Sequence, residues 1–120
     1  MGKPHRRLSV WQESMALVES IYQCTNTFPS EEKFGLLSQM RRCAVSIPSN
    51  IAEGAAKSSA ADYSRFLTIA IGSLSELDTQ LELSKRLQFL NDAAFESLDS
   101  QLGSISRMLI GLRRSIRSKA

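Results

Sequence analysis

Few residues in this sequence are of a type and spacing that could do chemistry. Within "RRCAVSIPSNIAEG", residues 41–54, the polar side chains Ser46, Asn50 and Glu53 gather around Pro48 and could line a ligand pocket. His5 is the only histidine, and no nucleophile-base set or phosphate-binding loop accompanies it. Cys24 and Cys43 are the only cysteines and lack CxxC spacing, so neither a zinc site nor a disulfide framework is expected. Both read as small apolar residues set far apart on neighbouring helices. No catalytic residue, metal or cofactor follows from these residues, and the expected protein is not an enzyme.

The proline cluster has a structural reading as well. A proline inside a helix removes one backbone hydrogen bond and costs about 3 kcal/mol unless something compensates. Here the carbonyl it frees is that of Ala44, while Ser46, Ser49 and Asn50 stand ready to satisfy loosened backbone groups. "SIPSN" then bends a helix around its neighbour.

The elements that must hold these residues are helical. Trp11, Met15, Val18, Tyr22 and Thr25 recur at spacings of four and three, which predicts one apolar stripe. Pro29 breaks it, with Ser30 as expected N-cap and Glu31 and Glu32 in the next first turn. The second stripe is Phe34, Leu37, Met40, Ala44, Ile47 and Ile51; the third is Tyr63, Leu67, Ala70, Leu74, Leu77, Leu81 and Ser84. Phe95, Leu98, Leu102, Ile105, Leu109, Leu112 and Ile116 form the fourth, with Asn91 or Asp92 as its cap. Nothing alternates with period two over a useful length, so no strand is expected.

The expected fold class is therefore all-α: an antiparallel up-down-up-down four-helix bundle with its second helix kinked at Pro48. It forms a single domain over residues 1–120, with helices at about 8–27, 31–56, 60–89 and 92–117 and basic, flexible termini. A composition of 42% hydrophobic and 22% charged residues fits one soluble core. No apolar run reaches the roughly 20 residues a membrane span needs, so no membrane partner and a cytoplasmic address are expected.

In a hairpin of the second and third helices, Ala44 faces Ser73 and Arg41 faces Glu76. Ser73 is then placed to donate to the freed Ala44 carbonyl, Gly72 to let the backbones approach, and Arg41 to pair with Glu76. Glu53 and Lys57 read as an i,i+4 helix pair. Leu36, Ile69, Ile71, Leu83, Phe89, Leu90 and Ile110 lie off the main seams, and such apolar surplus points to subunit packing.

"QMRRCAVSIPSNIAEG" followed by "FLTIAIGSLSELDTQL" resembles the paired signature of the 23S rRNA intervening-sequence protein family, also called the four-helix bundle protein family. "VWQESMALVESIYQCTNTFPSEEKFGL" is similar to its first helix and turn, so the resemblance spans roughly residues 8–90. Cys43 stands where the family more often has alanine, and "RLQFLND" is a loose version of its third-helix ending. Gln39, Arg41, Arg42, Ser46, Pro48, Asn50, Glu53, Gly54, Gly72, Ser73, Glu76 and Gln80 fill the signature places. The resemblance implies a ring-like homopentamer and assigns no activity. A related branch, the accessory variability proteins of diversity-generating retroelements, is similar in fold, which implies nucleic acid and reverse transcriptase as partner classes.

Charge is the remaining feature. The net charge is only +3, but the expected topology puts both termini and the second turn at one end of the bundle. Lys3, Arg6, Arg7, Lys57, Arg113, Arg114, Arg117 and Lys119 gather there against Glu53 and Asp62. Glu31, Glu32, Asp92 and Glu96 balance Lys33, Lys85 and Arg86 at the other end. A ring would repeat the basic end around its axis and suit the backbone of RNA or DNA. No aromatic residue is interleaved with these cations, so base stacking is not expected. The other open reading is a protein-interaction scaffold with no nucleic acid, and for either the partner in common is the chain itself.

Overall fold

The computed structural model describes residues 2–119. Four helices make up most of it: α1 (Ser9–Thr25), α2 (Leu36–Ala55), α3 (Ala60–Arg86) and α4 (Asp92–Ser118). Short 3-10 turns at Pro4–Arg7 and Ser30–Glu32 precede α1 and α2, and no strand occurs among the described residues. The 27-residue helices α3 and α4 set the long axis of a body measuring 45 × 22 × 20 Å.

The starts of α3 and α4 follow from side-chain capping. Ser59 Oγ accepts from the Asp62 N–H at 3.1 Å to open α3, and Asn91 Oδ1 accepts from the Ala94 N–H at 2.7 Å to open α4. Ser30 does not cap α2 as expected. Gly35 takes a non-helical conformation and delays the helix to Leu36, whose N–H is taken by Glu32 Oε1 at 3.0 Å. Phe34 lies on this break instead of on the helix face, and is 90% exposed where a core position was expected.

α3 stops at Arg86, short of the expected 89, because the chain closes a Schellman turn. Gln88 sits at φ 64° and donates to Lys85 O, and Phe89 N–H reaches Ser84 O. This turn folds Phe89 onto Phe28, ring centroids 5.3 Å apart, and buries Leu90, which is thereby removed from the surplus apolar set.

The stripes of α3 and α4 meet as expected, with Leu67, Leu77, Leu81, Ile105 and Leu109 fully buried. That of α1 is rotated by one residue: Val10, Ser14, Leu17, Ile21 and Thr25 face the core, while Met15 and Tyr22 are exposed. Ser14, a polar residue on the buried seam, misled the periodicity, whereas Thr25 belongs to both stripes. Their hydroxyls return to the preceding turn, Ser14 Oγ to Val10 O at 2.6 Å and Thr25 Oγ1 to Ile21 O at 2.7 Å, so burial leaves no hydroxyl unpaired. Ser84 of α3 does the same with Gln80 O at 2.8 Å.

Contacts between α2 and α3 run in opposite numerical order, from Met40 with Ser84, through Cys43 with Glu76 and Ser46 with Ser73, to Gly54 against Phe66. Thr68 with Arg113 and Ser64 with Arg117 join α3 to α4 in the same sense. α2 continues as one helix through Pro48. Ser49 Oγ and Asn50 Nδ2 return to the Val45 and Ser46 carbonyls at 2.8 Å, beside the Ala44 carbonyl that Pro48 leaves without its N–H. The N-terminal stretch forms the 3-10 turn Pro4–Arg7, where His5 packs edge-on to Trp11 with centroids 4.8 Å apart.

Candidate nucleic-acid interface

The cations expected at one end fall into two groups. The first surrounds the start of α3. Arg117 Nε donates to Ser64 Oγ at 2.8 Å, Arg113 Nη1 donates to Thr68 Oγ1 at 3.2 Å, and the Lys57 ammonium lies 5.3 Å from the Phe66 ring centroid. Arg65, which sequence reading passed over, covers the same ring at 4.5 Å and pairs with Asp62 at 3.8 Å. Arg114 on the same stretch of α4 and Lys119 just past its end are exposed. Hydroxyls and an aromatic face thus orient Lys57, Arg113 and Arg117 without neutralising them, while Arg65 is paired with Asp62. The second group, Lys3, Arg6 and Arg7, is carried by the N-terminal turn, which packs on α1 and α2. Gln12 Nε2 holds that turn by donating to Arg6 O at 2.9 Å. Among the described residues none of the eight cations forms an ion pair, and the expected Glu53–Lys57 pair is absent because α2 ends at Ala55.

The signature residues do not form one site. Arg41 turns away from Glu76 toward α1: Nε donates to Thr25 Oγ1 at 2.9 Å, and Nη2 to Asn26 Oδ1 at 3.0 Å and to Tyr22 O at 3.3 Å. Its guanidinium also lies 4.4 Å from the Tyr22 ring centroid. α1 has no basic residue in its last turn, so Arg41 supplies from α2 the cation that a helix C-terminus favours. Gly54 is buried where α2 meets α3, and an added Cβ would stand 2.9 Å from Phe66 Cβ. The close approach expected at Gly72 is absent there, since nothing lies within 4 Å of its Cβ position. Pro48 is buried beside the N-terminal turn.

A second set of signature residues lines an open groove between α2 and α3, about 820 Å³ in volume. Gln39, Arg42, Ser46, Ser73, Glu76 and Gln80 contribute, with Phe34 and Leu83 at its apolar end. Ser46 and Ser73 share a hydrogen bond of 2.8 Å, so Ser73 bonds this hydroxyl and not the Ala44 carbonyl. Asn50 Nδ2 completes the network at 3.0 Å from Ser46 Oγ, while Glu53 is exposed beyond it. The pocket first read around Ser46, Asn50 and Glu53 is therefore displaced toward α3, and only Ser46 of the three lines it.

Cys43 closes the floor of the groove. Its thiol lies 3.1 Å from Glu76 Oε2 and 3.2 Å from Ser73 O, facing α3, while Cys24 faces the start of α4. Burial pushes the Cys43 thiol up to about 12, helped by its hydrogen bond to Glu76 and by that carboxylate's charge. Burial also raises Cys24 and Tyr63. A thiol raised this far stays protonated at pH 8, where its thiolate fraction is roughly three orders of magnitude below that of a free thiol. Iodoacetamide should accordingly modify native Cys43 very slowly, and Glu76→Gln should speed the reaction. Equal rates in the native and urea-unfolded protein would contradict this arrangement. Because the folded thiol sits above its unfolded value, its stabilising contribution is complete below about pH 8.5 and declines as pH rises toward 12.

The class these features define is an all-α, four-helix protein with a basic end and a polar groove. Among the described residues no cluster of three or more His, Cys, Asp or Glu could hold a metal, and no helix is long and apolar enough to cross a membrane. The chain belongs to the 23S rRNA-intervening sequence protein family, whose model matches residues 6–111. Its fold is similar to the crystal structure of a protein with unknown function from the S23 ribosomal protein family of Bacteroides thetaiotaomicron VPI-5482. That similarity has a TM-score of 0.81 at 25% sequence identity and covers 88% of this chain and 95% of that one. Comparison with curated proteins gives no match.

Proposed function

We propose that this chain is a non-enzymatic, cytoplasmic protein that assembles into a homo-oligomer, a ring of five, and binds the phosphate backbone of nucleic acid through its basic end. The four helices are read as an up-down-up-down bundle with α2 bent at Pro48, which brings the N-terminal turn, Lys57 and the end of α4 to one pole. The observation that carries the reading is the set of eight cations without ion-pair partners among the described residues. A cation held by a hydroxyl, as Arg113 and Arg117 are, keeps its full charge for a phosphate.

Binding of this kind releases counterions, so affinity must fall with salt. If Lys57, Arg113, Arg114 and Arg117 each meet one phosphate of a single strand, log K against log salt has a slope of about −3 per subunit. Replacing both Arg113 and Arg117 by glutamine should reduce that slope by about 1.4. Fluorescence anisotropy with a labelled mixed-sequence RNA measures it, and an affinity unchanged between low and moderate salt would overturn backbone binding. The second reading, a protein-interaction scaffold, is favoured by the exposed side chains of Phe34, Leu83 and Leu87. Capture of a defined protein partner, with RNA ignored at low salt, would select it.

A further inference from the structure

Arg113 and Arg117 are tied to α3 by hydroxyls on two successive turns. Arg117 Nε donates to Ser64 Oγ at 2.8 Å and Arg113 Nη1 to Thr68 Oγ1 at 3.2 Å, while Thr68 Oγ1 itself donates to Ser64 O at 3.0 Å. That last bond fixes the Thr68 hydroxyl, so its lone pairs face a set direction. Ser64 is 8% exposed, whereas Arg117 is open to solvent and Arg113 is half-buried. A carboxylate in place of either hydroxyl would hold its arginine more tightly and cancel the charge. The acid on this stretch of α3, Asp62, is paired with Arg65 instead.

A guanidinium carries five N–H donors, and each of these two uses one of them on α3. Because Arg117 is held by Nε, the pair of Nη groups at its tip stays whole; because Arg113 is held by Nη1, its Nε and Nη2 stay whole. A planar pair of N–H donors matches two oxygens of one phosphate, a geometry that an ammonium does not offer. The two arginines are one turn apart on α4, a rise of about 6 Å, so each is placed to meet its own phosphate. A long side chain loose in water must be ordered as it binds, and that ordering weakens association. Here the hydroxyls do the ordering beforehand.

We infer that Ser64 and Thr68 are positioning residues for nucleic-acid binding: they act through Arg117 and Arg113, holding each as a preorganised fork for the oxygens of a phosphodiester. This deepens the backbone-binding reading above and rests on it.

Fluorescence anisotropy of the purified full chain with a labelled mixed-sequence RNA tests it, with circular dichroism melts confirming that each variant keeps its fold. Ser64→Ala and Thr68→Val should each weaken binding by roughly two- to tenfold, the scale of ordering one long side chain, while the salt slope stays unchanged because no charge is lost. Thr68→Ser restores a hydroxyl and should restore the affinity. A chain carrying Arg113→Lys and Arg117→Lys keeps both charges and neither fork, so adding Ser64→Ala or Thr68→Val to it should change affinity by less than about twofold. Full-strength binding by both hydroxyl variants overturns the inference while backbone binding stands. Equal losses in the arginine and lysine backgrounds would assign the hydroxyls to the fold alone, and overturn it as well. A salt slope that falls with the affinity would show that a phosphate contact was lost and not its ordering, with the same consequence. A wild-type chain that ignores this RNA at low salt overturns the backbone-binding reading and the inference together.

Discussion

Gly54→Val should lower the stability of the protein by about 3 kcal/mol, whereas Gly72→Ala should raise it by up to about 1 kcal/mol. Both glycines belong to the signature and both lie inside helices, so helix propensity alone predicts a gain for each. Their surroundings decide otherwise. At Gly54 a Cβ would meet Phe66 Cβ at 2.9 Å, Tyr63 Cδ1 at 3.1 Å and the Tyr63 carbonyl oxygen at 3.2 Å. The last of these is backbone, which cannot swing aside, so relief requires α2 and α3 to separate. That separation would loosen the packing of Ile51, Phe66 and Leu67 nearby. Forced overpacking costs about 1–3 kcal/mol, and valine adds two methyls beyond the Cβ and a restricted rotamer to the clash. At Gly72 nothing lies within 4 Å, and alanine simply narrows the unfolded ensemble. Thermal melts of the two variants should move in opposite directions, Gly54→Val down by roughly 10 °C. Two shifts of the same sign would show that the α2–α3 approach at Gly54 is not tight.

Arg41→Ala should cost about 2–3 kcal/mol, with most of the loss unrecovered by lysine. The guanidinium does three things at once: it donates to a buried threonine hydroxyl, reaches an asparagine side chain and a carbonyl at the end of α1, and stacks on Tyr22. Hydrogen bonds from a charged donor contribute more than neutral ones, and the stacking adds about 0.5–1 kcal/mol. Lysine keeps the charge near the α1 terminus but has neither the planar fork nor the flat face. Glu76→Ala provides the contrast. Its carboxylate accepts from the Cys43 thiol and plays no part with Arg41, so its removal should cost under about 1 kcal/mol and add to the Arg41 loss independently. Chemical denaturation of the two single variants and the double variant measures this. Strong non-additivity between them would restore the Arg41–Glu76 pair that helix register alone suggests.

Arg41 shows how a register argument fails. A hairpin of α2 and α3 does place positions 41 and 76 near each other, but a side chain of six or seven bonds selects among all neighbours within reach. Here the carbonyl-rich end of α1, which lacks a cation of its own, is the better partner. Gly72 and Gly54 make a related case. Periodicity says which face of a helix a glycine occupies, yet the distance between two helices varies along their crossing and is not written in either one.

The sequence by itself determined the helices and most of their inner faces. Three-four spacing over whole heptads is a repeated signal, and in α3 and α4 the predicted leucines and isoleucines are buried, except Leu112 and Ile116, which are half-buried towards the end of α4. It also pointed to the cap of α4, Asn91, because a cap is a local hydrogen bond between residues three apart. The inner face of α1 was not legible in the same way. Ser14 occupies a buried position by bonding its own preceding turn, so residue polarity and burial part company there, while Thr25 at the far end is buried as its spacing predicts. Only the tertiary structure decided which cation closes α1, which glycine admits α3, and that Glu76, Gln80 and Phe34 share one groove. Each of these depends on the distance and rotation between two packed helices, quantities set by the sum of many side-chain contacts and carried by no single stretch of chain.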